Sequence, residues 1–95
     1  MENKYLFEIF NRFCNNAKFL CGLVSLNHNV GITLMKIDTP CKLVSIFRKG
    51  ELYTLDYGIG KDVNLAVQSA EEKQSRTELD EEKLDLFLDA FFAEA

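Results

Sequence analysis

Between residues 3 and 15 the apolar positions recur at helical spacing. Leu6, Ile9, Phe10, Phe13 and Ala17 follow an i, i+3, i+4, i+7 pattern, with Glu8 and Arg12 on the opposite side. This predicts an N-terminal helix within residues 1–16. Asn15 and Asn16 form its stop, because asparagine tolerates left-handed backbone geometry.

The pattern then changes period. Residues 18–26, KFLCGLVSL, are nearly continuous in apolar side chains, as in a strand covered on both faces. Asn27, His28 and Asn29 read as a turn. VGITLMKI (30–37) and KLVSIF (42–47) are rich in β-branched residues, and DTP (38–40) separates them. RKGE (48–51) reads as a hairpin turn with Gly50 at positive φ, and LYTLDY (52–57) follows. Every connection is too short for a crossover, so the predicted sheet is an antiparallel meander within residues 17–68. GIGKD (58–62) reads as a loop. Residues 63–74 are ambiguous. VNLAV alternates like a fifth strand, whereas Asp62 would cap a helix carrying Val63, Val67 and Ala70. The expectation is a short strand turning into helix or coil.

The last segment, 77–95, again has helical spacing. Thr77 is the expected N-cap, and Leu84, Phe87, Leu88, Phe91, Phe92 and Ala95 fall on one face. The expected architecture is therefore α+β in one 95-residue domain: an N-terminal helix, a four- or five-stranded antiparallel meander and a long amphipathic C-terminal helix.

Charge changes this picture. The first 76 residues hold ten Lys/Arg against eight Asp/Glu, a net of +2, whereas 77–95 hold one against seven, a net of −6. On the predicted helix Glu78, Glu82, Asp85 and Asp89 share a stripe beside the phenylalanine face. Acids near a helix start are favourable, but Asp89 and Glu94 lie near its negative end with no nearby cation in sequence. Such a stripe is commonly a solvated face. Its alternative is a docking surface for a basic protein partner, and a line of carboxylates at this spacing also resembles a line of phosphates, as in a DNA mimic. A second strip, Leu79, Leu86, Ala90 and Ala93, is either sandwiched within the domain or a route to a homodimer.

Composition removes other classes. The acidic balance, pI about 4.9, argues against direct nucleic-acid binding. No apolar run is long enough to span a membrane, and the N-terminus does not read as a signal peptide. Three cysteines in apolar settings fit reduced thiols, hence a cytoplasmic protein. Cys14, Cys21, His28 and Cys41 lack the spacing of zinc knuckles, and GIGK lacks the length of a phosphate loop, so neither metal nor cofactor is expected.

Two family outlines come near. The helix followed by short strands, with IFRKGE at 46–51, is slightly similar to Sm-type folds, but the acidic residue and asparagine of the first Sm motif have no match near GLVSLNHNVGITL. The order helix, meander, acidic C-terminal helix is similar in outline to small acidic secretion chaperones, which are longer and carry an extra central helix. The sequence therefore points to a non-enzymatic protein-binding module. The leading expectation is a small acidic inhibitor or regulator of the anti-defence, immunity or DNA-mimic kind. A dimeric secretion-type chaperone or adaptor is the alternative, and a weak nucleic-acid or small-ligand binder at the sheet edge is the third.

Overall fold

The computed structural model describes residues 3–72 and 77–93. The elements are α1 (Lys4–Cys14), β1 (Phe19–Leu26), β2 (Asn29–Lys36), β3 (Cys41–Lys49), β4 (Leu52–Gly60), α2 (Val63–Glu72), β5 (Thr77–Leu79) and α3 (Glu81–Phe91). The fold is α+β, with an N-terminal helix and one antiparallel sheet in the order β1-β2-β3-β4-β5.

Turn chemistry sets the register of the meander. Asn27 and His28 both take positive φ (51° and 65°), the pattern of a type I′ turn, and they join Leu26 to its partner Asn29. Gly50 at φ 64° makes the β3–β4 turn, pairing Lys49 with Leu52. The DTP turn joins β2 to β3 through a cis Thr39–Pro40 bond.

Because strand side chains alternate, this register sorts residues onto two faces. Ile32 and Leu34 of β2, Val44 and Ile46 of β3, and Tyr53 and Leu55 of β4 meet Leu6 and Ile9 of α1 and Leu84, Leu88 and Phe92 at α3 in the main core. The phenylalanine face of the last helix is therefore anchored as its spacing predicts, with Phe87 and Phe91 packed around it. The opposite face carries a smaller cluster, Cys41 and Leu43 under Ala66 of α2, flanked by Met35 and Ala70.

Several expectations are corrected. Residues 63–72 are a helix, started by the Asp62 carboxylate accepting from Leu65 N–H (2.9 Å). GIGKD is not a loop throughout, since β4 continues to Gly60. A Cβ on Gly58 would stand 2.2 Å from the Ala66 carbonyl oxygen, and one on Gly60 2.4 Å from Ala66 N. These glycines are the seat of α2. The fifth strand is instead Thr77–Leu79, opposite Tyr53, Thr54 and Leu55.

Thr77 therefore caps nothing. Asp80, in extended conformation, is the N-cap, accepting from Lys83 N–H at 2.8 Å. The last helix is short, at 11 residues. Nor is β1 covered on both faces. It is the outermost strand, and Leu20, Leu23 and Leu26 are 55%, 60% and 46% exposed.

Candidate functional site

The acid stripe expected on one helix is divided in the structure. Glu78 lies in β5 and its carboxylate meets Lys49 Nζ at 2.7 Å. Exposed as it is, this pair contributes only ~0.2–1 kcal/mol. Glu82, Asp85 and Asp89 remain on α3. Asp85 is half-buried and accepts a hydrogen bond from the Tyr5 hydroxyl, which also lies 2.8 Å from the Glu81 carbonyl oxygen. Only Glu82 and Asp89 of the four expected positions are exposed carboxylates on the helix.

Tyr5 thus fastens α1 to α3. Burial and the adjacent Asp85 push its phenol well above the ordinary tyrosine value of 10.0. Tyr53 packs against Tyr5 with ring centroids 5.2 Å apart, and burial and the nearby Glu81 raise its phenol too. An open cleft of about 470 Å³ lies here, lined by Lys4, Tyr5, Glu8, Arg48, Tyr53 and Glu81. Its charges are mixed, and the tyrosine hydroxyls favour their neutral forms.

The far end of α3 also differs from expectation. Lys42 Nζ donates to the Phe91 carbonyl (2.8 Å) and Lys36 Nζ to the Phe92 carbonyl (3.2 Å). Lys36 is buried, with Asp38 3.7 Å from its ammonium. Two sheet lysines therefore answer the negative end of the helix, where the sequence offered no local cation. Folding accounts for more of this helix's charge than the sequence indicated.

The expected self-association strip is divided as well. Leu79 belongs to β5 and packs against the main core. Leu86 is 64% exposed, and Ala90 and Ala93 are exposed, Ala93 beyond the helix end. Ala95 and Glu94 lie outside the described residues.

The residues that sequence reasoning missed are on the sheet's second face. Ten-residue α2 packs on β3 and β4. Beyond it Phe47 lies over Gly31, its ring 2.5 Å from where a Cβ would be. The hydroxyls of Thr33 and Ser45 meet at 3.1 Å. A groove of about 310 Å³ runs past Leu26, Phe47, Thr54 and Asp56. The signal for this face was the Gly58/Gly60 pair matched to Ala66/Ala70, which fixes where the helix sits and therefore what it leaves open.

Cys41 is buried, Cys21 half-buried and Cys14 exposed, and burial raises the first two thiols. Among the described residues no three of His, Cys, Asp or Glu converge as metal ligands, and no helix is long and apolar enough to cross a membrane. No family model matches the chain, and neither a curated protein nor a solved structure matches it.

Proposed function

We propose that the protein is a non-enzymatic protein-binding module that holds an apolar partner segment on the half-covered face of its sheet, as an adaptor or chaperone does. The observation that supports this is the placement of α2. It covers one end of β3 and β4, while at the other end Leu26 stays exposed beside Phe47, in a groove edged by polar Asn27, Asn29, Arg48, Lys49, Thr54 and Asp56. Exposed apolar side chains gathered beside polar ones are characteristic of contact surfaces.

A second reading is the small acidic inhibitor or regulator, of the anti-defence, immunity or DNA-mimic kind. It rests on Glu82 and Asp89, which stay exposed on α3 with Lys83 as that helix's only lysine or arginine. In this reading a basic protein surface docks there, steered by charge.

Capture from cells of the source or its host, with mass spectrometry, separates the two. Thr54→Arg with Asp56→Arg places two long cations in the groove. Glu82→Lys with Asp89→Lys reverses the helix charge without touching the Tyr5–Asp85 bond. The client reading expects loss of partner with the first pair and retention with the second. A partner lost only on charge reversal establishes the inhibitor reading instead.

A further inference from the structure

We propose that β1 is a dimerisation edge, pairing antiparallel with β1 of a second copy about a two-fold axis through Gly22. This inference does not depend on the client-binding reading.

The argument begins with the backbone. Leu26 and Asn29 close the hairpin, and Ile37 N–H bonds the Lys18 carbonyl at 3.1 Å. Even-numbered residues of β1 therefore direct their polar groups to β2, and Cys21, Leu23 and Ser25 direct theirs outward. Among the described residues no strand lies beyond β1. Proteins ordinarily blunt such an edge with charge, proline or a bulge. FLCGLVSL has no charge and no proline, and its register with β2 runs unbroken from Phe19 to Leu26.

Both flanks of the edge are apolar. Leu20 and Leu26 project on the second face and Leu23 on the first. Tyr5 ties one side of α1 to α3, so the other side of α1 faces the β1 edge. That side carries Phe7, 45% exposed, and exposed Cys14. A two-fold axis repeats these side chains on both copies, so that they would cover one another on either flank of the paired strands. The α3 alternative offers one leucine and two alanines.

Self-complementarity fixes the register. A two-fold axis perpendicular to the sheet keeps each face continuous, so paired residue numbers must sum to an even value. An axis at Gly22 pairs Cys21 with Leu23 of the partner subunit, using the outward amides, and Leu20 with Val24 of the partner subunit. It overlaps the whole strand. Gly22 meets itself at the close, non-bonded position, and nothing lies within 4 Å of its would-be Cβ.

Sedimentation velocity from about 1 to 200 μM is the first test, and a concentration-dependent monomer–dimer equilibrium is expected. Leu23→Lys, at an exposed position, should weaken the dimer at least ten-fold, with a thermal midpoint unchanged at concentrations where both proteins are monomeric. The second test introduces Gly22→Cys in a Cys14→Ser, Cys21→Ser background. Mild oxidation should give a symmetric cross-linked dimer, because facing non-bonded strand positions lie within disulfide reach. Leu86→Cys in the same background is the control. A monomer throughout the concentration range, oligomers larger than two, a dimer indifferent to Leu23→Lys, or cross-linking through Leu86→Cys in place of Gly22→Cys would each overturn the proposal.

Discussion

Replacing Gly58 with alanine adds a single methyl group, and the structure says that it should behave as a large lesion. The added Cβ would lie 2.2 Å from the Ala66 carbonyl oxygen and 2.4 Å from Ala70 N. Both are backbone atoms of α2, so no side chain can rotate away. Ordinary contact needs at least 3.4 Å, so the helix must retreat by about 1 Å. A gap of that size forfeits roughly a quarter to a half of each dispersion contact along the seam. Overpacking of this kind costs ~1–3 kcal/mol, and loosened burial of Cys41, Leu43 and Ala66 adds to it. Removing a glycine stabilises by ~0.4–1 kcal/mol through the unfolded chain. The net expectation is a loss of about 2–3 kcal/mol, or roughly 8–24 °C in thermal midpoint for a domain of this size. Gly22→Ala is the matched control. It adds the same methyl group where a single protomer leaves open space, and in the monomer at low concentration it should be neutral or gain up to ~1 kcal/mol through the unfolded chain. Urea unfolding of the three proteins measures both values, and hydrogen exchange over Val63–Glu72 tests whether the loss is seated in α2. A Gly58→Ala protein no less stable than Gly22→Ala would refute the account of GIGK as a helix seat.

Three further expectations concern the two ends of α3. Tyr5→Phe removes the hydroxyl that bonds Asp85 and should lower stability by about 1–2 kcal/mol in chemical denaturation. The burial of this hydroxyl, with the Asp85 bond, also has a pH signature. The folded phenol titrates above its unfolded value of 10.0, so its contribution is complete below that pH and falls as pH rises through the folded value; wild type should lose more stability between pH 9 and 11 than Tyr5→Phe does. Lys42→Met, which removes the ammonium held at the Phe91 carbonyl, should cost ~0.5–1.5 kcal/mol, and thermal melts that show no loss would refute the helix-end role.

The sequence was legible where local chemistry decides structure. The NHN and KGE turns, the two strands between them and the buried phenylalanine face all follow from spacing and turn residues within a few positions of each other. The errors occurred where a distant partner decides. Thr77 and Asp80 are both competent caps, and pairing of Leu79 with Tyr53, some 26 residues earlier, assigns Thr77 to a strand. VNLAV fits a strand period until Gly58 and Gly60 leave room for Ala66 and Ala70 to settle on the sheet. The apolar run of β1 reads as doubly buried, and only the strand order reveals an edge. For the candidate site the acidic character was visible, but the lysines that answer it were not. Lys36 and Lys42 precede the carbonyls they bond by 56 and 49 residues, beyond the reach of any periodic pattern.

The Tyr5–Asp85 bond joins residues 80 positions apart. Its consequence lies in the order of assembly. The β1–β4 hairpins are local and can zip early with α1 over β1 and β2, whereas the rest of that side stays uncovered until α3 and Phe92 are available to close over it. During synthesis the half-made chain therefore carries a hydrophobic face that α1 covers only in part, and α3 completes the cover when it emerges. Chains halted before α3 should be more prone to aggregate than their count of missing residues suggests.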